Sequence, residues 1–231
     1  MSKTNHTTTK SSKFSHNFSG YSVWLEPSRS QSEDIVQEMK CLASTCGGAS
    51  NGVHEFSLHC TLLYNFNPYE CIQCEEQSEE DICRELLAQC FQEYKSHVKS
   101  ELGEDGILLD SKRYYFFCYP KEADDGRGFG CVIPMLLLKN NANLQRIHDT
   151  VARVFPPDER HSNNGRFIPH MALCYGPEIY EDDLRAYMSK LESQKQYLLK
   201  QMTGEYLSIW KTQGSLKDWK LVDRISLSTV S

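Results

Sequence analysis

A chain of 231 residues carrying 25 Lys and Arg against 31 Asp and Glu, a net charge of −6, is long enough for one large domain or two small lobes. Its 39% hydrophobic and 24% charged residues match ordinary globular usage and exclude collagen-like, coiled-coil and wholly disordered readings. The acidic excess argues against a groove for duplex DNA, which selects a basic face. The longest apolar run, 132–138, is broken by Pro134 and too short to span a bilayer. With a polar N-terminus that lacks a signal-like apolar segment, the chain reads as soluble and cytoplasmic, with no membrane partner.

Residues 1–19 hold nine Ser or Thr and three Lys and no acid, which reads as a disordered tail. From Gly20 the texture changes, and residues 20–231 read as a single bilobal domain. Tyr21 to Leu25 predicts a strand stopped by Pro27. A capping box at Ser30-x-x-Glu33, then Ile35, Met39 and Leu42, predicts a helix ended by Gly47-Gly48. Residues 56–64 read as a strand and 65–78 as a polar loop. Ser78-x-x-Asp81 opens a second helix, whose stripe of Ile82, Leu86, Cys90, Tyr94, Val98 and Leu102 runs to Gly103. Strands at 107–119 and 129–138 flank a Gly-rich turn that lacks the spacing of a phosphate loop. Leu144, Ile147, Val151 and Val154 mark a third helix. A strand follows at 166–175, a helix at 178–200, and two strands at about 204–212 and 219–228. This mixture without strict βα alternation predicts an α+β fold.

The ten cysteines read as reduced thiols packed as small hydrophobes. Cys71-x-x-Cys74 followed by Cys83 and Cys90 is a poor zinc pattern, because the second pair sits at the helical spacing of seven. No metal or other cofactor is expected.

One long-range echo stands out. Phe56-Ser57-Leu58-His59-Cys60-Thr61-Leu62-Leu63-Tyr64 aligns with Phe167-Ile168-Pro169-His170-Met171-Ala172-Leu173-Cys174-Tyr175, sharing the Phe, the His, a Leu and the Tyr. Strand alternation puts His59 and Thr61 on the face opposite Phe56, Leu58, Cys60, Leu62 and Tyr64. If the two segments lie side by side across a pseudo-two-fold axis, His59 and His170 project into one cleft. Two facing imidazoles suit phosphoryl displacement: one takes a proton from water, the other gives one to the leaving oxygen. A lone strand histidine is more often structural; the paired context raises the case.

These two segments, with Tyr21-Ser22-Val23-Trp24-Leu25-Glu26-Pro27 and Ile209-Trp210-Lys211-Thr212, make residues 20–226 resemble the two-histidine phosphoesterase superfamily, in particular the cyclic phosphodiesterase branch of plants and yeasts. The resemblance implies two antiparallel-sheet lobes with helices outside and a central cleft. It implies metal-independent hydrolysis of 2′,3′-cyclic nucleotides to 2′-phosphates and of ADP-ribose 1″,2″-cyclic phosphate, a by-product of tRNA splicing. Carried over by position, His59 and His170 are the catalytic pair, and Thr61 and Tyr175 bind phosphate. His170 is assigned to activate water and His59 to protonate the leaving oxygen. Partners would be a small cyclic-phosphate nucleotide or RNA 3′ ends, not duplex DNA. One position departs: the family carries Ser or Thr where this chain has Ala172. Replacement donors are Tyr175, Lys211 or Arg166. The departure keeps open a nucleotide- or RNA-end-binding module on the same fold, beside a third reading as an RNA-end exonuclease or ligase relative.

Weaker candidates are Lys112-Arg113 as a phosphate contact, and Tyr114, Tyr115, Phe116 and Phe117, read as sheet core rather than a stacking platform. Trp24 and Trp210 read as core and His148 as structural. His54, His97 and His161 carry no pattern.

Overall fold

The computed structural model describes residues 20–46, 57–71, 77–101, 106–120, 128–155, 167–173, 179–214 and 218–227. The N-terminal tail, Gly47-Gly48, His54, Cys74, His161, Arg166 and Tyr175 lie outside the described residues. Among the described residues, eight strands and five helices follow in the order β1 (Tyr21–Pro27), α1 (Arg29–Cys46), β2 (Cys60–Phe66), α2 (Pro68–Cys71), α3 (Glu79–Glu101), β3 (Ile107–Pro120), β4 (Gly128–Leu138), α4 (Ala142–Val154), β5 (His170–Ala172), β6 (Ile179–Tyr180), α5 (Glu181–Gln194), β7 (Gln201–Lys211) and β8 (Lys220–Ser226). The α+β expectation holds, and every ladder is antiparallel.

The strands fall into two runs, β2-β1-β7-β8 and β5-β4-β3, with β6 on β4. They are not separate sheets. β2 pairs with β5, and β3 with β7, so the hydrogen-bonded path β1-β2-β5-β4-β3-β7 returns to β1. The main core lies on the helix-bearing face. It joins Val23, Leu25, Cys60, Leu136, Met171 and Leu207 of the sheet to Ile35 of α1, Leu87 of α3, Ile147 of α4 and Leu191 of α5. Among the described residues no helix is long and apolar enough to cross a membrane.

Local chemistry sets the element ends. Gly20 opens β1 at φ +73°, where a Cβ would stand 2.6 Å from the Phe66 carbonyl oxygen, so only glycine fits. Helix α1 begins two residues before the expected box: the Ser28 carbonyl accepts from the amides of Gln31 and Ser32, and Ser30 falls inside the first turn. At α3 the box forms as read, with Ser78 Oγ accepting from the Asp81 amide at 3.2 Å. Two strands are shorter than their sequence patterns. Pro169 has no amide for the β5 ladder, and the carbonyls of Ser57 and Ile168 receive histidine side chains. The span 178–200 is not one helix. Ile179 and Tyr180 pair with Phe129 and Gly128, α5 ends at Gln194, and a 3₁₀ turn covers Gln196–Leu198.

Helix α4, which packs on β2, is capped by Asn141. Its Oδ1 accepts from the Leu144 amide at 2.9 Å and its Nδ2 donates to the Leu108 carbonyl at 2.8 Å. Asn141→Ala loses both bonds and is expected to cost about 1–2 kcal/mol in urea unfolding. A cost below a few tenths would show that the cap contributes nothing.

Candidate active site

The two halves of the sequence echo meet in the structure. Cys60 of β2 pairs with Met171 of β5. Carrying that antiparallel register one residue either way sets Thr61 against His170 and His59 against Ala172, and opposed residues share a face. The alternate residues Leu58, Cys60, Leu62, Met171 and Leu173 go to the helix-bearing core. His59, Thr61, His170 and Ala172 therefore make a two-by-two patch on the opposite face. The histidines occupy one diagonal, about 7–8 Å apart by the usual strand spacing.

The same local bond orients both rings. His59 Nδ1 lies 2.6 Å from the Ser57 carbonyl oxygen, and His170 Nδ1 lies 3.0 Å from that of Ile168, each two residues upstream. A carbonyl only accepts, so Nδ1 carries the proton in both rings and, in the neutral ring, Nε2 is the unprotonated nitrogen.

The surroundings of the two rings differ. His59 is 3% exposed, whereas His170 is half-buried. Burial pushes the His59 imidazole down to about 3; the nearby His170 adds to the fall and the Ser57 carbonyl opposes it. His59 is thus neutral throughout the physiological range. One face of its ring lies flat on Trp24, with centroids 3.5 Å apart and planes 4° from parallel. Trp24 in turn stacks on Trp210 at 4.6 Å and meets Trp219 at 5.6 Å. All three tryptophans of the chain gather here. Trp24 and Trp210 are packed as expected, but against the histidine face rather than within the main core.

Beyond the tryptophans lies a buried carboxylate. Glu26 Oε1 accepts from Ser208 Oγ and from Trp210 Nε1 at 3.1 Å, and Oε2 accepts from Arg224 Nη2 at 2.6 Å. On the other flank, Ala172 packs with Ile133 and Met135 in a small apolar cluster separate from the main core. No hydroxyl replaces the missing one at position 172 itself.

The pairings Met135↔Ala172 and Tyr115↔Met135 carry the histidine face onto β3. Here the aromatic run divides. Tyr114 and Phe116 are buried in the core as expected, while Tyr115 and Phe117 stay 45% and 41% exposed on the histidine face. Arg113, paired with Leu137 in the row of His170, is exposed beside them. The period-two alternation of 113, 115 and 117 held this signal, masked by the uniform aromatic composition of the run.

Lys211 is not a replacement donor for position 172. It pairs with Tyr21, which faces the main core, and its Nζ is 2.9 Å from Glu79 Oε2 of α3. His148 stacks on Phe167 at 3.9 Å and lies 3.1 Å from Asp149, outside the patch. Cys83 and Cys90 are buried free thiols pushed up to about 12 by burial. Among the described residues no group of three His, Cys, Asp or Glu could hold a metal ion.

No protein-family model matches the chain, and no curated protein matches it. The solved structure of Kluyveromyces marxianus Usb1 with uridine monophosphate is similar over 90% of this chain and 97% of that one, at 12% sequence identity and a TM-score of 0.44. A likeness at that level carries no argument about activity.

The buried neutral imidazole makes stability depend on pH. In the unfolded chain His59 takes a proton near pH 6.5, and in the folded chain only near 3. Below pH 6.5 the unfolded state binds more protons, so stability falls with pH by about 1.4 kcal/mol per pH unit. Between pH 7 and pH 5, wild type should lose about 2 kcal/mol more than His59→Gln, read by urea unfolding. Equal losses in the two proteins would show that His59 is not held neutral.

Proposed function

We propose that residues 20–231 form one metal-independent phosphodiesterase domain that opens a 2′,3′-cyclic nucleotide phosphate to the 2′-phosphate. The observation that carries this reading is the β2–β5 register, which lays His59, Thr61 and His170 on one face with both Nδ1 atoms tied to upstream carbonyls. His59 is assigned as the base: its Nδ1–H is held by the Ser57 carbonyl, so Nε2 is its proton-accepting nitrogen. Its Nε2 takes a proton from water as the water oxygen bonds to phosphorus. The bond from phosphorus to O3′ breaks, and O3′ takes a proton from Nε2 of a protonated His170. This order reverses the one expected from the sequence. Thr61 Oγ1 donates to a non-bridging phosphate oxygen.

The nucleotide part of the reading draws on Tyr115, Phe117 and Arg113. Strands lie about 4.8 Å apart, so β3 stands about 10 Å from β5 on the same face. That distance suits a base or ribose attached to a phosphate held between the histidines. The chemistry is shared by mononucleotides, by ADP-ribose cyclic phosphate and by RNA ends closed with a cyclic phosphate.

A second reading, binding without turnover, draws on Ala172. Its packing against Ile133 and Met135 leaves an apolar contact where a donor would serve the transition state. Loss of one such donor lowers a rate by roughly 10²–10³.

The test is hydrolysis of 2′,3′-cyclic mononucleotides, ADP-ribose cyclic phosphate and cyclic-phosphate-ended oligonucleotides, all in EDTA. Expected outcomes are a loss of roughly 10²–10⁴ for His59→Ala and for His170→Ala, and about 10² for Thr61→Val. Ala172→Ser should gain about tenfold or more. A silent wild type with an active Ala172→Ser would select the binding reading. Turnover that survives both histidine variants would sink the enzyme reading as drawn.

A further inference from the structure

We propose that Glu26 is a positioning residue for His59, acting through Trp210 and Trp24; this rests on the reading of His59 as the base. The starting observation is a carboxylate only 4% exposed in a region rich in aromatic surface. A buried charge there is costly unless it is fully bonded. Glu26 is: Ser208 and Trp210 donate to one oxygen, and Arg224 to the other.

The bond to Trp210 Nε1 has a directional consequence. An indole held only by stacking can slide and turn on its neighbour. Pinned at Nε1 to Glu26, and to Ser208 Oγ at 3.2 Å, it has one orientation. Trp210 then backs Trp24, with ring centroids 4.6 Å apart and planes 22° from parallel. Trp24 presents a fixed plane to His59 at 3.5 Å. The Ser57 bond fixes which way the imidazole points about its own axis, and the flat contact with Trp24 fixes its tilt. Both are needed to aim Nε2. A face-on indole also favours the imidazolium that forms during the step, through its ring quadrupole.

The chain of contacts runs from Arg224 on β8 through Glu26 on β1, Trp210 on β7 and Trp24 on β1 to the histidine. Its outer members do not touch the reacting atoms. Their loss is therefore expected in kcat rather than in KM.

The experiment compares Glu26→Ala, Glu26→Gln and Trp210→Phe with wild type by two readouts. The first is the position of the His59 ring-proton signals in NMR spectra at neutral pH, assigned by their disappearance in His59→Ala. Stacking on Trp24 shifts them upfield of an exposed histidine. The second is steady-state turnover of the cyclic substrates. Glu26→Ala should move the His59 signals toward the exposed position and lower kcat by about tenfold to a hundredfold with little change in KM. Glu26→Gln keeps an acceptor for Trp210 and should restore both. Trp210→Phe keeps a ring but loses the N–H and should fall between. If Glu26→Ala is folded and leaves both signals and kcat unchanged, or if Gln restores neither, the proposal is overturned. If Glu26→Ala does not fold, unchanged signals in Trp210→Phe overturn it. Should turnover survive His59→Ala, the catalytic reading fails, while the NMR shifts still decide whether Glu26 sets the ring of His59.

Discussion

The candidate site depends on one short contact, the antiparallel pairing of β2 with β5 at Cys60 and Met171. These two segments stand more than a hundred residues apart in the chain. A strand has a side-chain period of two, so a slip of one residue would send the histidines of one segment into the main core and its apolar side chains to the cleft. The packing of Leu58, Cys60, Leu62, Met171 and Leu173 on the core face resists that slip. The hydrophobic core thereby specifies the spacing of the polar pair on the far side of the same strands. Core packing and site geometry are two faces of one register.

The two histidines share a local bond but not an environment, and the difference comes from what covers each ring. Burial disfavours the charged form of His59, while His170 is only half-buried. An acid–base pair works only if its members hold different protonation states. Here the two rings are alike in type and differ in tertiary cover. The Glu26 network lies on the covered side, so the stronger constraints fall on the histidine that has less room.

Much of this was legible in the chain. Most of the strand and helix order follows from period-two and helical patterning, but α2 falls in the span 65–78 read as a polar loop and β6 in the span read as a helix; the helix entry at Ser78 and the stop at Pro27 are local chemistry that sequence displays. The echo around His59 and His170 pointed to the pair, and alternation alone placed Thr61 beside His59. What sequence did not display was anything set by pairing between distant strands. Glu26, Ser208 and Arg224 carry no motif; only the alignment of β1 with β7 and β8 brings them together. Lys211 looked like a cleft donor until its register with Tyr21 turned it toward Glu79. Tyr115 and Phe117 hid in a run of four aromatics whose two faces have opposite fates. The sequence also did not display the burial of His59, which sets its surroundings apart from those of His170.

The closed path of strand pairing has a consequence for how the molecule can move. Two sheets joined along one line would leave a hinge, and a ligand could open the cleft by folding about it. A path that leaves through β2–β5 and returns through β3–β7 joins the two runs of strands twice. Any rotation of one run of strands against the other must stretch hydrogen bonds at one seam or the other. A large separation of the two runs is therefore coupled to loss of the sheet itself. Amide exchange in β2, β5, β3 and β7 should consequently occur in one cooperative step close to global unfolding, and the framework around the histidines behaves as a hoop rather than as a pair of jaws.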